Sequence, residues 1–224
     1  MFIVQGISRI HHDEASVRDV YARVEPRSGQ VYCEMSTAGI DAADELAPRL
    51  EAAGARLLCT PIMGSVPAIE QGAALILVGG DEAAFERARP ALEAFGEPEH
   101  AGSYRDAMGL KLLNNAMLGA CGAVASELLA ASRRAGLDLD ATFRLLTRMM
   151  PYLDARRRGY LARDHEATLF ELAGMVKDMD LALDLGRRAG AAMPMTAVAR
   201  ELYAVAAPEH GEEELTAVIE VYPA

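Results

Sequence analysis

The chain has 224 residues, of which 51% are hydrophobic and 25% charged, a composition typical of a soluble globular protein with one large domain or two smaller ones. Its net charge of -11 at pH 7 argues against a nucleic-acid partner, because phosphate binding requires clustered lysine and arginine. No apolar run approaches the roughly 20 residues that span a bilayer, and the N-terminal residues lack signal-peptide features. We therefore expect a cytoplasmic protein without a membrane partner.

The spacing of cysteines and histidines does not indicate a disulfide framework or a metal site. The three cysteines, which lie far apart in apolar settings, are Cys33, Cys59 and Cys121. They are interpreted as reduced core thiols. The five histidines are scattered, and the adjacent His11 and His12 diverge on either a helix or a strand. Neither a metal site nor a histidine-centred triad is expected.

The first hundred residues alternate between short apolar runs and amphipathic segments. The predicted strands cover residues 2–4, 30–35, 55–59 and 73–78, and the predicted helices cover 13–24, 41–53 and 81–95. We expect Asp41 and Asp81 to cap their helices, Gly54 to follow the end of the second helix, and Pro48 to kink or shorten it. Alternating strands and helices predict an α/β layer with a largely parallel, Rossmann-like sheet.

After Gly102 the strand signals vanish and helical periodicity continues to the end of the sequence. The pattern over residues 105–135 predicts one helix of about thirty residues, or roughly 45 Å at about 1.5 Å per residue. Further helices are predicted over 140–150, 152–162, 170–189, 194–206 and 212–221. The arginine run 156–158 is interpreted as a solvated helix face, with an anion contact as the alternative.

These patterns predict an α/β domain over residues 1–102 and an all-helical domain over residues 103–224. A long apolar helix must bury both of its sides, and this chain has few other elements that could cover it. We therefore predict a homodimer built on the helical domain.

Within the long helix, Lys111 and Asn115 lie four residues apart, so that both project from one face. An amine beside a carboxamide can move a proton and hold an oxygen-bearing substrate. The neighbouring leucines favour a partly desolvated amine, whose pKa would be lowered toward a useful range. A solvated surface lysine is the alternative, and Asn114 is interpreted as a packing or capping group that points elsewhere.

Several segments, taken in order, resemble motifs of the β-hydroxyacid dehydrogenases, the group of 3-hydroxyisobutyrate dehydrogenase. They are Glu34–Thr37, Thr60–Ser65 followed by Gly72 and Val78–Gly80, Lys111–Asn115, and Phe170 followed by Met175–Ala182. Their order and spacing match over nearly the whole chain, which is far more specific than any single motif.

The resemblance implies an alcohol-to-carbonyl reaction that uses NAD or NADP, with Lys111 as the general acid/base. The residues that it assigns to a small-molecule substrate are Ser36, Thr37, Gly64, Ser65 and Asn115. It places Lys177 on the cofactor side of a cleft between the α/β part and the long helix. From the residues alone, Ser36 and Thr37 are equally well explained as N-cap or turn residues, and Lys177 with Asp178 as a surface ion pair.

Two features depart from the family pattern. No two glycines are spaced i, i+2, so the Gly-x-Gly-x-x-Gly turn that holds a dinucleotide pyrophosphate is missing. The sequence is therefore expected to begin at a middle strand of a truncated Rossmann-like half. In addition, Met63, Gly64 and Ser65 stand where the family usually has Ser-Gly-Gly. A thioether cannot donate a hydrogen bond, so we expect a bulkier or less polar substrate.

Three functions remain compatible with the sequence. The first is an oxidoreductase of the family type, which requires an upstream start or a partner that completes the nucleotide site. The second is a non-redox isomerase, lyase or cyclase that uses the Lys111 cleft without a nicotinamide cofactor. The third is a non-catalytic remnant that dimerises through its helices. The substrate and the choice between NAD and NADP are not determined by these residues.

Overall fold

The computed structural model describes residues 2–5 and 14–223 of the chain, so His11 and His12 lie outside the described residues. The chain divides into two compact units, Met1–Leu113 and Asn114–Ala224. The division lies within the long helix α5 (Tyr104–Arg134). The predicted boundary at residue 102 precedes this helix and stays a prediction.

The described part of the first unit contains a six-stranded sheet and four helices, followed by the start of α5. Its strands are β1 (Phe2–Gln5), β2 (Val31–Glu34), β3 (Arg56–Cys59), β4 (Ile62–Met63), β5 (Ala74–Gly80) and β6 (Gly96–Gly102). Its helices are α1 (Glu14–Ala22), α2 (Ile40–Ala52), α3 (Val66–Glu70) and α4 (Glu82–Leu92).

The predicted Rossmann-like sheet is confirmed, with antiparallel pairing as an addition. Strands β1, β2 and β3 are parallel, as are β5 and β6. Both β3 and β4 run antiparallel to β5, with Leu58 opposite Gly80 and Met63 opposite Leu75. Strands β3 and β4 keep one register against β5, so they form a single ladder that is interrupted between Cys59 and Ile62.

The alternation of side chains along the strands explains how both faces of this sheet are covered. Tyr32 and Leu57 are buried in a cluster with residues of α1 and α2, such as Leu50. Their neighbours Val31 and Leu58 belong to a second buried cluster with residues of α4. Because successive strand residues point to opposite faces, two apolar faces require helices on both sides.

The predicted helix ends in this unit are partly correct. Gly54 adopts φ +74° just after α2, and the Asp81 side chain accepts a hydrogen bond from Ala84 N at 2.8 Å at the start of α4, as predicted. The prediction that Asp41 caps α2 is wrong, because Gly39 occupies the cap position and Asp41 lies in the first turn. Its carboxylate still lies near the N-terminus of the helix, where the positive end of the helix dipole stabilises a negative charge. Pro48 does not shorten the helix.

The described part of the second unit is helical, apart from one isolated bridge between residues 171 and 214. After α5 come α6 (Leu139–Met149), a 3-10 helix (Pro151–Arg156), α7 (Arg157–Ala162), α8 (Leu172–Ala189), α9 (Pro194–His210) and a second 3-10 helix (Leu215–Val221). Helices α8 and α9 and the second 3-10 helix enclose a core that includes Met175, Tyr203 and Val218.

The arginine run 156–158 pairs with carboxylates. Arg157 and Arg158, whose side chains are exposed, pair with Asp140 and Asp164, which agrees with the predicted solvated face. Arg156 departs from that prediction, because its side chain is only 9% exposed and pairs with Glu214, with 2.7 Å between Nε and Oε1. It belongs to the packing of the unit.

Helix α5 is 31 residues long and apolar enough to cross a membrane by length and composition, and half of its most apolar window is buried inside the protein. Core helices of globular proteins have the same character.

Candidate active site

The first turns of α5 lie close to the end of strand β5, and this contact positions Lys111. A Cβ atom at Gly79 would come within 2.8 Å of the Ala107 Cβ and closer still to the Ser103 carbonyl, so only glycine permits this approach. One turn beyond Ala107, the half-buried Lys111 donates a hydrogen bond from Nζ to the carbonyl oxygen of Ile62 at 2.7 Å.

The acceptor of this hydrogen bond belongs to the predicted substrate loop. Ile62 and Met63 form β4, and Gly64 and Ser65 follow before α3 begins. Gly64 has little room for a side chain, because a Cβ atom there would lie 3.0 Å from the Ala74 Cβ. The structure therefore brings Lys111 to the loop that the motif comparison assigns to the substrate.

Ser36 and Thr37 lie just beyond the carboxyl end of β2. Ser36 N donates a hydrogen bond to Glu34 Oε1 at 2.8 Å, while the Ser36 hydroxyl is buried without a hydrogen-bond partner among the described residues. Because β2 and β3 are parallel, these residues lie at the same sheet edge as the start of the substrate loop. Ligands of open α/β sheets bind at this edge. Gly39 caps α2, so the N-cap interpretation of Ser36 and Thr37 is wrong.

In the second unit, Asn115 belongs to a buried polar network on α5 and α8. Its Nδ2 donates a hydrogen bond to Asp178 Oδ2 at 2.5 Å, and its Oδ1 accepts one from Asn114 Nδ2 at 3.1 Å. Lys177 Nζ lies 2.9 Å from the other carboxylate oxygen, Oδ1 of Asp178. Asn115 and Asp178 are 3% and 1% exposed.

Two interpretations from the sequence change in this network. Lys177 and Asp178 form the predicted ion pair, but Asp178 lies in the protein interior, so a surface pair is the wrong description. Asn114 is exposed, as an outward-pointing residue would be, yet its amide contacts Asn115 rather than a helix end.

The cysteines of the first unit are unsuited to nucleophilic chemistry. Burial raises the pKa of Cys33 to about 12. Burial, together with the nearby carboxylates of Glu34 and Asp44, raises the pKa of Cys59 to about 12. Both are free thiols in the core, as predicted, whereas Cys121 is half-exposed. Among residues 2–5 and 14–223, no three His, Cys, Asp or Glu side chains are grouped as metal ligands.

The numbers of lysine, arginine and asparagine residues also indicate which positions are functional, independently of the motifs. The chain contains 20 arginines but only two lysines, Lys111 and Lys177, and its only asparagines are Asn114 and Asn115. Arginine stays charged in proteins, whereas lysine can give up its proton. A chain that uses arginine for nearly all positive charges thus keeps lysine only at two motif positions.

Comparison with known families covers both units. The model described as the NAD-binding domain of 6-phosphogluconate dehydrogenase matches residues 7–111. The model described as the NAD-binding part of NADP-dependent 3-hydroxyisobutyrate dehydrogenase matches residues 106–222, more than half of the chain. The chain belongs to the 3-hydroxyisobutyrate dehydrogenase-like family of β-hydroxyacid dehydrogenases. The predicted family is thus confirmed, and NAD or NADP is the cofactor that this family implies.

Individual members of this family show the extent of the similarity. Chloroplastic glyoxylate/succinic semialdehyde reductase 2 of Arabidopsis thaliana is 28% identical over 202 residues, or 88% of this chain and 56% of the plant protein. The 3-hydroxyisobutyrate dehydrogenase of Pseudomonas aeruginosa is 30% identical over 198 residues, or 81% of this chain and 64% of the relative. The chain therefore spans between half and two thirds of these two proteins.

A solved structure confirms the fold assigned to this family. A 3-hydroxyisobutyrate dehydrogenase from Salmonella typhimurium, which is 24% identical, superimposes with a TM-score of 0.84 over 99% of this chain and 78% of that protein. At this identity the likeness supports the fold alone.

Proposed function

We propose that this chain acts as a nicotinamide-dependent oxidoreductase that interconverts a hydroxy acid and its carbonyl compound, with Lys111 as the general acid/base. The observation that carries the proposal is the hydrogen bond from Lys111 Nζ to Ile62 in the predicted substrate loop. Family membership and the restriction of lysine to positions 111 and 177 support the same role.

The proton step follows from the chemistry of an amine. When the carbonyl compound is reduced, a protonated Lys111 donates a hydrogen bond to the substrate oxygen and transfers its proton as the hydroxyl forms. In the oxidative direction the neutral amine takes that proton back. The Ile62 carbonyl accepts one N–H group of Lys111 and thereby holds the amine beside the loop.

The hydride belongs to the nicotinamide cofactor, which supplies it when bound. The residues present suit the nicotinamide end of such a cofactor, because the buried Ser36 hydroxyl has no hydrogen-bond partner among the described residues. We assign Ser36 and Thr37 to the nicotinamide and the substrate, and Lys177 to the cofactor. A Gly-x-Gly turn for the pyrophosphate is not among the residues of this sequence.

The proposed substrate contacts come from the substrate loop, residues 60–65, and from the Asn115 amide. Gly64, Ser65 and Asn115 are assigned to the substrate carboxylate, for which backbone N–H, hydroxyl and amide groups are suitable donors. Met63 supplies an apolar contact where the family has a serine, so we propose a substrate with a larger apolar part than a small hydroxy acid.

The experiment compares the purified protein with the Lys111→Arg variant, using NADH or NADPH and glyoxylate or succinic semialdehyde as probes. Arginine keeps the charge and a donor but does not release a proton, so we expect kcat to fall by about 10²- to 10⁴-fold. The control is Arg134→Lys at the exposed end of α5. Full activity in Lys111→Arg would refute the acid/base role.

The non-redox alternative is favoured by Met63 and Ser65, which stand where the family usually has a serine and a glycine in the substrate loop. Titration calorimetry with NADH and NADPH separates the two functions. Heat of binding in the micromolar range supports the oxidoreductase. If neither nucleotide binds to the purified chain, the oxidoreductase proposal is excluded for the 224-residue chain, and the non-redox enzyme and the non-catalytic remnant remain.

We also propose that the protein is a homodimer in which α5 contributes to the interface. On the second-unit part of this helix, Met117, Val124 and Leu128 are 65%, 43% and 43% exposed. Their spacing of seven and four residues places them on one side of the helix. An exposed apolar stripe of this kind is typical of a surface that a partner covers.

A further inference from the structure

We propose that Asp178 is a positioning residue of this enzyme, which fixes the orientation of the Asn115 carboxamide and holds the Lys177 amine. Asp178 is assigned no contact with substrate or cofactor, and it acts through these two neighbours. The kinetic part of this inference rests on the proposed oxidoreductase function, whereas its structural part does not.

The orientation of the Asn115 amide follows from the charge of its partner. An ionised carboxylate offers only acceptors, so Asn115 can face it only with its NH₂ group. In the observed orientation, Asn115 Nδ2 lies 2.5 Å from Asp178 Oδ2. A flipped amide would place Oδ1 at that position, where two acceptor oxygens would repel each other. Asn114 Nδ2 donates to Asn115 Oδ1 and favours the same orientation from the other side.

Burial makes this arrangement strong. Asp178 is 1% exposed, and an ionised carboxylate in such a place requires charge-assisted contacts to compensate for lost hydration. Oδ2 accepts a hydrogen bond from Asn115, whereas Oδ1, which accepts no hydrogen bond among the described residues, lies 2.9 Å from Lys177 Nζ as an ion pair. The Lys177 side chain is 26% exposed, so the network reaches from the interior to the surface.

The consequence is that the amide is oriented before any ligand arrives. With one Nδ2 hydrogen bonded to Asp178, the second hydrogen is the donor that Asn115 presents to a substrate oxygen. An amide free to flip would present Oδ1 to an anionic substrate for part of the time, which is repulsive. Fixing such groups in advance lowers the entropic cost of reaching the reactive geometry.

Nuclear magnetic resonance tests the structural part directly, because asparagine occurs only at positions 114 and 115. Protein labelled with ¹⁵N-asparagine shows two side-chain NH₂ pairs, and Asn114→Ser identifies the pair of Asn115. We expect the two Asn115 protons to be widely separated in shift and slow to exchange, since one of them is bonded to a buried carboxylate. A pair at ordinary, solvent-like positions in the unaltered protein would overturn the proposal.

The variants Asp178→Ala and Asp180→Ala form a matched pair on α8. Asp180 lies two residues further along, is half exposed, and pairs with Arg200. We expect Asp178→Ala to collapse the separation of the Asn115 protons and Asp180→Ala to leave it unchanged. If Asp178→Ala does not fold, the proposal is tested by Asp178→Glu and by the spectrum of the unaltered protein. The longer side chain of Asp178→Glu keeps a carboxylate near the amide, so this variant should retain part of the separation between the Asn115 protons.

The kinetic arm uses NADPH with whichever carbonyl probe the protein turns over. Loss of a hydrogen bond to a charged group predicts that kcat/KM falls by about 10- to 100-fold in Asp178→Ala, with partial recovery in Asp178→Glu. Asp180→Ala should stay within about twofold of the unaltered protein. A changed Asn115 spectrum with unchanged kinetics would refute the positioning role. Absence of turnover in the unaltered protein would refute the proposed function instead.

Discussion

At the scale of single residues, the use of lysine distinguishes functional positions from structural ones. Arginine forms ion pairs throughout the described chain, for example Arg163 with Glu220 and Arg200 with Asp180. Its planar group suits such pairs well, but it cannot act as a base near neutral pH. Lys111 and Lys177 are the two basic positions of the chain, apart from histidines, that are not arginine, and both contact residues of segments that resemble family motifs.

The raised pKa values of the two buried cysteines allow a prediction about thiol reactivity. Burial raises the pKa of Cys33 and Cys59 to about 12, so at about pH 8 both remain almost entirely thiols, which are poor nucleophiles. A thiol-specific colorimetric reagent should therefore leave Cys33 and Cys59 unreacted in the native protein and react with three thiols after unfolding. Rapid reaction of three thiols in the native protein would contradict the burial of Cys33 and Cys59.

At the scale of elements, the C-terminal 3-10 helix is held by a polar cluster around Glu220. The Glu220 carboxylate accepts hydrogen bonds from Arg163 at 2.5 Å and from His165 Nε2 at 2.9 Å. His165 Nδ1 also contacts the Thr216 hydroxyl at 2.9 Å. Partial burial acts to raise the pKa of Glu220, but the hydrogen bonds from His165 and Arg163 outweigh it and lower the pKa below its usual 4.5.

This shift predicts how stability changes with pH. A carboxylate whose pKa is lower in the folded protein stabilises it above the unfolded pKa, and this contribution is lost as the pH falls through the folded pKa. Glu220→Gln should therefore lower Tm at about pH 7, and the difference from the unaltered protein should shrink toward about pH 3. Circular dichroism melts measure both.

The control for this prediction is Glu201→Gln, whose side chain is 72% exposed and pairs with Arg200 at 3.2 Å. Exposed pairs contribute little, so the expected change is below about 1 kcal/mol. A Tm difference for Glu220→Gln that stays constant from neutral to acid pH would count against the role assigned to the cluster.

Elements with strong periodicity were predictable from the sequence, and elements without it were not. The pattern over residues 105–135 predicted α5, which extends over Tyr104–Arg134. Strand β6, Gly96–Gly102, escaped prediction because its residues are mostly small or charged and it pairs with β5 alone among the described strands. Strand β4 has two residues, too few for an alternating pattern.

At the scale of the whole molecule, the proposed homodimer leads to a test of mass in solution. Light scattering after gel filtration should give twice the chain mass of 24.0 kDa at micromolar concentration. Val124→Glu places a charge in the exposed apolar stripe and should shift the mass toward that of one chain, because an unpaired charge is costly in an interface. Arg134→Glu, at the exposed end of the same helix, should leave the dimer intact. A monomeric unaltered protein would contradict the proposal.

The sequence by itself determined the fold class, the family and the identity of the acid/base candidate, because these depend on local periodicity and on short motifs in a fixed order. Only the tertiary structure decided that the Lys111 amine contacts Ile62 and that Asp178 accepts a hydrogen bond from the Asn115 amide, since these pairs lie 49 and 63 residues apart. The residues alone, without the motif, indicated that Lys177 and Asp178 could pair. That Asp178 is buried, and therefore able to fix an amide, depends on the packing of α8 against α5, which no local pattern encodes.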